Sequence, residues 1–437
     1  MHPLELTRHS ISNWSGAEIS ALTVSIDRAR VACLARDPHA FTGADLIDFA
    51  RLCGLGQQWG TVVLATTLYI DSSETTKPLL TEAHSARVDA DLRLHSEPDA
   101  LRDTRTMLAA VPYSPLVAEA SDESIDYMRF SSPDDALSLA AQRQTLVLAQ
   151  LKQLATPADA AHTASMPPAT NAAATSATTA AISFGASAPT TGTAHFSVHE
   201  LYAQALTLAA LQQLADKPTL ATDTLAQLDA ALPNPLAPDE AASIAEQRRR
   251  YSLLGKPLTG LTLNRSLSMP SILPAIPANN SMTVLLLFPD WCAACVGAMS
   301  QIPETVFRIA GHEAYYYGLL AETMPERKPD TAINPQQLAA AFSPAYAASL
   351  LAEKPVVTVP LSTLDQFAAT DFPFLIVTDA HGIVRVAQAV DTDDLSSGGK
   401  VDASVVVVGQ HWPLAPPASA SPSRTAPATP ADQGQSN

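Results

Sequence analysis

Apolar residues recur every three or four positions along the first part of the chain, which is the spacing of one helix face. Examples are Ile19, Leu22, Ile26, Ala29 and Cys33, then Leu46, Phe49, Ala50 and Cys53, then Trp59, Val62, Val63 and Thr66. Turn-forming segments such as Asp37-Pro38 and Asp71-Ser72-Ser73 separate these stripes. The pattern predicts helical hairpins, and we expect an α-helical, repeat-like domain over residues 1–155.

The composition changes after this block. Residues 156–196 are rich in Ala, Thr, Ser and Pro, and Asp159 is their only Asp, Glu, Lys or Arg. No apolar periodicity is present to offset the entropy of ordering, so this stretch is predicted to be a disordered linker. Residues 413–437 are rich in Pro, Ala and Ser and are predicted to form a disordered tail.

Helical spacing resumes between these two segments, over residues 197–250. Ser197 is a plausible helix cap because its side chain can accept a hydrogen bond from an unpaired backbone N–H of the first turn. Further helices are predicted over Leu220–Leu232 and Asp239–Tyr251, on either side of a proline-rich turn. The sequence leaves open whether this segment packs on the first helical block or on the C-terminal part of the chain.

Thr283–Cys295 contains the strongest chemical signal, with the sequence TVLLLFPDWCAAC. The apolar run Val284–Phe288 is typical of a strand that is buried on both faces. Val296–Ile309 favours a helix, so Cys292 falls at a helix N-terminus and Cys295 one turn further in. Unpaired N–H groups and the helix dipole favour an anion at that place, so the thiolate should form most readily at Cys292, which should also be the more exposed sulfur.

The four cysteines also allow interpretations other than redox chemistry. A four-ligand zinc site needs a second close pair, and Cys33 and Cys53 are far upstream and widely spaced, so no metal is expected. Cys292 and Cys295 could also be structural, although simple packing does not need a strand followed by a helix start. Cys33 and Cys53 lie on apolar stripes and are predicted to be buried packing residues; the alternative is a disulfide between them, which would require an oxidising compartment.

The strand, Trp291-Cys292-Ala293-Ala294-Cys295 and the following helix resemble the active site of the thioredoxin fold. Asp371–Val386, with a proline that opens a strand and hairpin, resembles the second signature of that family. Leu254–Leu263 resembles the Gly-Lys-Pro entry strand of its TlpA-like branch. The three pieces stand in the family's order over residues 251–412. The sequence therefore predicts an α + α/β protein, with a helical-hairpin N-terminal region and a thioredoxin-like C-terminal domain.

The resemblance implies a thiol-disulfide oxidoreductase that acts on protein disulfides. Cys292 would be the nucleophile and Cys295 the resolving thiol, with Trp291 as a shield and contact beside the sulfurs. Pro373 would form a cis peptide bond and, with Phe372, part of the substrate-binding surface. The two cysteine thiols supply both electrons of the thiol-disulfide exchange, so no cofactor is expected. The implied partners are protein thiols and disulfides and a redox protein that recycles the pair.

Some positions depart from the family pattern. Ala293-Ala294 lacks the proline that many relatives carry between the cysteines, and Leu286 stands where thioredoxins keep a buried carboxylate. Tyr315–Leu320 is predicted to be a strand and Pro335–Leu351 a helix. The family ends in a helix, whereas the β-branched run Val401–Val408 is predicted to form another strand.

Charge and hydropathy narrow the functional classes. A net charge of -17 argues against nucleic acid as a partner, because nothing would offset phosphate repulsion. No run of about 18 to 20 apolar residues is present to span a bilayer. The first fifteen residues do not have the pattern of a signal peptide, whereas the resemblance implies an extracytoplasmic setting. The alternative function is a helical-repeat scaffold that binds a protein partner, with a vestigial or docking thioredoxin-like domain.

Overall fold

The computed structural model describes residues 16–155, 196–267, 273–278, 280–289, 306–309, 311–322, 354–390 and 399–413, with the single positions 292, 295, 296, 299 and 351. Within these residues, helices fill the N-terminal part and a mixed β-sheet fills the C-terminal part. This agrees with the predicted α + α/β class. The predicted linker, residues 156–196, lies almost entirely outside the described residues, as do nearly all of the predicted tail and of the helix predicted over Pro335–Leu351.

The N-terminal part is a series of helices in which nearly every helix contacts the next along the chain. In residues 16–155 the helices are α1 (Gly16–Leu34), α2 (Ala44–Leu55), α3 (Trp59–Ile70), α4 (Leu80–Arg93), α5 (Glu97–Ala110), α6 (Pro115–Ser131) and α7 (Pro133–Ala155). After residue 195 the series continues with α8 (Val198–Leu214), α9 (Pro218–Ala231) and α10 (Pro238–Tyr251). The predicted helical hairpins are confirmed, and we call α1–α10 the helical array.

Local sequence explains where several of these helices begin. The Ser197 hydroxyl accepts a hydrogen bond from the Glu200 backbone N–H, and the Glu200 side chain accepts one from the Ser197 N–H at 2.8 Å. This reciprocal pair satisfies two N–H groups that a helix start leaves unpaired. Proline occupies the first turn of α9 and α10, where its missing N–H is not needed. The predicted cap at Ser197 is therefore confirmed.

The helices that precede residue 156 and those that follow residue 195 share one apolar core. Val147 and Leu151 on α7 pack with Leu201, Tyr202 and Ala205 on α8, and all five side chains are buried. Burial of this apolar surface joins the two blocks. The segment 197–250 is thus part of the helical array rather than a separate body.

Cys33 on α1 and Cys53 on α2 form a disulfide, with 5.1 Å between their Cα atoms. The expectation that these cysteines only pack in the core is corrected, although both are indeed buried, at 1 % and 0 % exposure. Gly56, just after α2, allows the close approach of the two helices: a Cβ there would stand 2.6 Å from the backbone of Arg30. Apolar spacing alone does not show that two helix faces meet at their cysteines.

A mixed sheet forms the C-terminal part. Its strands are β1 (Arg265–Ser266), β2 (Met282–Pro289), β3 (Val306–Ile309), β4 (His312–Glu322), β5 (Val356–Pro360), β6 (Phe374–Thr378) and β7 (Val384–Ala389). Their order is β1-β5-β4-β2-β6-β7, and β3 pairs with β4. β2 is central, parallel to β4 and antiparallel to β6, and β6 continues into an antiparallel hairpin with β7.

β2 is buried on both faces, as its continuous apolar run predicts. Val284, Leu286 and Phe288 point into one apolar cluster, which also contains both C-terminal cysteines; we call it the cysteine cluster. Leu285 and Leu287 point into a second cluster on the opposite face. A short helix, α11 (Ser362–Gln366), precedes β6, and a longer one, α12 (Gly399–His411), follows β7.

Two predicted elements are wrong. The segment Val401–Val408 is helical and belongs to α12. Its residues Val401, Val405 and Val408 are buried at helical spacing, so burial against the sheet outweighs the preference of valine for strands. The helix predicted over Val296–Ile309 does not reach its end, because residues 306–309 form β3. A turn at Gly311, with φ of +85°, pairs β3 with β4.

The predicted entry strand over Leu254–Leu263 is also corrected. Only one bridge forms, between Pro257 and Ile383, flanked by hydrogen bonds from the Gly255 N–H to the Val384 carbonyl and from the Leu258 N–H to the Gly382 carbonyl. Proline has no N–H to continue a ladder, so the segment follows the hairpin without forming a regular strand. The strand predicted over Tyr315–Leu320 is confirmed within β4.

The helical array packs directly on the face of the sheet that carries the cysteine cluster. Phe130 from α6 and Leu214 from α8 are members of that cluster, at 5 % and 6 % exposure. The Arg129 guanidinium also donates a hydrogen bond to the Gln388 side chain on β7. Within the described part of the chain, no helix is both long enough and apolar enough to cross a membrane.

Candidate active site

β2 leads directly to Cys292. The Cys292 N–H donates to the Pro289 carbonyl at 3.1 Å, which closes a turn at the end of the strand. The Cys292 carbonyl then accepts from the Val296 N–H at 3.1 Å, the bond pattern of a first helical turn. The helix start predicted at Cys292 is therefore confirmed. Trp291 lies outside the described residues, as do residues 290, 293 and 294.

The sulfur of Cys292 acts as a helix cap. It accepts a hydrogen bond from the Cys295 backbone N–H at 3.3 Å. An N–H of the first turn has no partner within its own helix, so a side-chain acceptor at this place satisfies it. The same donor favours negative charge on the sulfur when the cysteine is reduced, because the helix dipole and the N–H group both point at it.

Cys292 and Cys295 form a disulfide, with 5.3 Å between their Cα atoms. The predicted proximity of the two side chains is confirmed. Cys292 is 3 % exposed and Cys295 is 0 % exposed. The expected order of exposure holds, but both residues are buried, which the sequence did not indicate. A protein substrate can therefore reach the disulfide only if neighbouring side chains move.

The Phe372–Pro373 peptide bond is cis, as the family resemblance implies. Pro373 is buried and stands just before β6, and its carbonyl accepts a hydrogen bond from the Val390 N–H at 3.0 Å. Phe372 is half-buried and packs against the cysteine cluster. The structure thus brings Phe372, one of the predicted substrate-binding residues, to the same apolar cluster as the two cysteines.

Two ionisable groups near this cluster have pKa values that burial raises. Burial, and to a smaller extent the charge of Asp402, raise the pKa of Tyr316 well above its usual value. Burial also raises the pKa of Asp402, on the first turn of α12. Leu286 is fully buried in the cluster and adds no ionisable group to it. Among the described side chains, no three His, Cys, Asp or Glu residues converge as metal ligands.

Comparisons with known proteins give no relative from which to transfer a function. No protein-family model, no curated protein and no solved structure matches this chain. The candidate site therefore rests on its own residues: a capped disulfide just after a buried strand, and a cis proline just before the neighbouring strand.

One contact at the site was not anticipated from the sequence. Arg250, in the last turn of α10, donates hydrogen bonds to the segment that leads into Pro373. Its position among Arg248, Arg249 and Arg250 is typical of a helix C-terminus, where cations are favoured by the helix dipole. That signal explains a basic residue at this place, but no sequence pattern shows which distant segment it contacts.

Proposed function

We propose that this protein is a thiol-disulfide oxidoreductase that acts on protein substrates through Cys292 and Cys295. The observation that carries the proposal is the Cys292–Cys295 disulfide, in which the Cys292 sulfur receives the N–H of Cys295 at a helix start. A sulfur held there has a stabilised thiolate, which is the form that attacks disulfides and also the form that leaves easily.

In the reducing direction, the Cys292 thiolate attacks one sulfur of a substrate disulfide. A mixed disulfide forms and one substrate thiolate leaves. The Cys295 thiolate then attacks the Cys292 sulfur, the second substrate thiolate leaves, and the Cys292–Cys295 disulfide forms. Two electrons pass from protein to substrate, and the two protons lost by the cysteines balance those taken up by the substrate thiolates. Oxidation of a substrate is the same sequence in reverse, and a recycling partner restores the starting state.

The same residues support membership of the thioredoxin-like superfamily, whereas the TlpA-like branch rests on the sequence Gly255-Lys256-Pro257, which forms a single bridge to the hairpin at Ile383. The buried strand β2 ends at the cysteine pair, a cis proline opens the β6–β7 hairpin, and the helix α12 follows. The disulfide between Cys33 and Cys53 supports an extracytoplasmic location, because disulfides persist in oxidising compartments. Phe372 and Pro373 would hold an extended substrate segment beside the sulfurs, with Trp291 as a further contact.

Thiol trapping across a series of glutathione ratios tests the proposal, with Cys33→Ala/Cys53→Ala as the background so that only one pair titrates. A reversible two-electron transition is expected, and Cys292→Ser should abolish disulfide reduction. Cys295→Ser should accumulate a mixed disulfide with a protein substrate, because the resolving thiol is missing. Full reductase activity in Cys292→Ser would refute the mechanism.

A second candidate function is a protein-binding scaffold, favoured by the continuous helical array. Stacked helices form extended surfaces that hold partners, and α1–α10 share cores along their whole length. In that case a partner would be captured equally well by the wild type and by the Cys292→Ser/Cys295→Ser variant. Capture that needs Cys292 would instead favour the oxidoreductase.

A further inference from the structure

The contact between α10 and the segment before β6 joins the helical array to the candidate site. Arg250 donates from Nε to the Ala368 carbonyl at 3.0 Å and from its terminal nitrogen to the Thr370 hydroxyl at 2.8 Å. Its guanidinium carbon also lies 5.8 Å from the centre of the Phe374 ring. These three contacts fall on both sides of Phe372-Pro373. The Arg250 side chain therefore contacts the segment 368–374 both before and after Phe372-Pro373.

The backbone of this segment needs such support. Ala368 has φ of +48°, in the left-handed region that residues with a Cβ adopt at some cost. The residue ends α11, where its N–H donates to the Asp365 carbonyl, and the chain then turns towards Pro373. The Arg250 bond to the Ala368 carbonyl fixes the direction in which the chain leaves this turn. Glu246 lies beside the guanidinium, with 3.7 Å between its carboxylate and the arginine.

We propose that Arg250 is a positioning residue that fixes Phe372-Pro373 for binding of an extended protein substrate, so that the helical array sets the affinity of the redox site. This inference rests on the proposed function. Arg250 touches neither cysteine in this arrangement; it acts through the segment 368–374. Its geometry matters as well as its charge, because a planar guanidinium can donate to two acceptors at once and an ammonium group cannot reproduce that fork.

The experiment compares the kinetics of full-length variants with insulin as the protein disulfide and oxidised glutathione as a small disulfide. Arg250→Ala should raise KM for insulin by about tenfold, as expected for the loss of charge-assisted hydrogen bonds, and change kcat less. Glutathione has no extended chain to hold, so its KM should change less. Arg250→Lys should rescue only part of the loss. The reduction potential of the cysteine pair should remain that of the wild type.

Two further variants separate positioning from a general effect on folding. Arg249→Ala is the matched control, since this neighbour is exposed and its side chain makes no recorded hydrogen bond or ion pair with any described residue. Thr370→Val removes one acceptor from an exposed position and should raise KM for insulin in the wild type but not further in Arg250→Ala.

The outcomes distinguish this inference from the function on which it rests. Unchanged KM for insulin in Arg250→Ala, or an equal rise in Arg249→Ala, overturns the positioning role while the oxidoreductase stands. Additive effects of Arg250→Ala and Thr370→Val also overturn it. A wild-type protein that neither reduces these disulfides nor oxidises reduced insulin refutes the proposed function and the inference together.

Discussion

Reduction of the Cys33–Cys53 disulfide should loosen the start of the helical array. The bond joins α1 to α2 across a sequence separation of 20. In the unfolded chain a crosslink of this kind removes conformational freedom, and in the chain-entropy model a loop of this length is worth about 3 kcal/mol. Reduction should lower the free energy of opening of α1 and α2 by about that amount.

The measurement uses one protein in two redox states. In a Cys292→Ser/Cys295→Ser background, the only remaining pair is Cys33 and Cys53, so oxidised and reduced samples differ by two hydrogen atoms. Native-state hydrogen exchange reports the opening of each helix separately. A loss of about 3 kcal/mol corresponds to about a hundredfold faster exchange in α1 and α2.

The helix α9 (Pro218–Ala231) is the internal control, because it lies outside the closed loop and in a different apolar cluster. Its exchange should be the same in both redox states. Less than a threefold change in α1 and α2 would refute the assigned magnitude. An equal acceleration in α9 would show that the array opens as one unit rather than locally.

Three further predictions concern packing and charge. Gly56→Ala should destabilise the fold by about 1–3 kcal/mol in urea unfolding, because its Cβ would lie 2.6 Å from the backbone of Arg30. Gly60→Ala is the control: no atom lies within 4 Å of its Cβ, so this substitution should not destabilise the fold. Phe130→Ala should cost about 3–5 kcal/mol and separate the unfolding of the array from that of the sheet, and a single unshifted transition would contradict this. Burial raises the pKa of Asp91 to about 6, so on raising the pH this carboxyl group ionises in the unfolded chain before it ionises in the folded one. The stability of the wild type relative to Asp91→Asn should therefore fall as the pH rises from about 4 to about 6. A stability difference that does not change with pH would contradict the assignment.

The sequence predicted those elements that depend only on neighbouring residues, such as strand β2 and the helix start at Ser197. The run Val284–Phe288 contains enough apolar residues to require burial on both faces, and β2 follows it closely. Ser197 and Glu200 carry the spacing of a capping box, and the helix starts there. The placement of Cys292 follows from these same rules, since a strand must end and a helix begin within a few residues.

Features that depend on distant packing could not be predicted in this way. Val401–Val408 has the composition of a strand, and only its docking on the sheet makes it helical. Cys33 and Cys53 pair because two helices cross at Gly56, and one-dimensional spacing does not contain that crossing. The contacts of Arg250 join residues more than a hundred positions apart, and the apolar cluster that contains Cys292 also includes residues as distant in sequence as Phe130.

The connectivity of the sheet has a consequence for how the molecule assembles. Nearly every helix of the array contacts its neighbour in sequence, whereas β2 must pair with β4 and β6, so that Thr283 meets Thr378. Contacts between sequence neighbours form quickly, and long-range strand pairing is slow because the intervening chain must first close a loop. We expect the array to fold first during synthesis and to present Phe130 and Leu214 as an apolar template. The sheet would then pack on that template, and the candidate site at Cys292 would be the last part of the molecule to form.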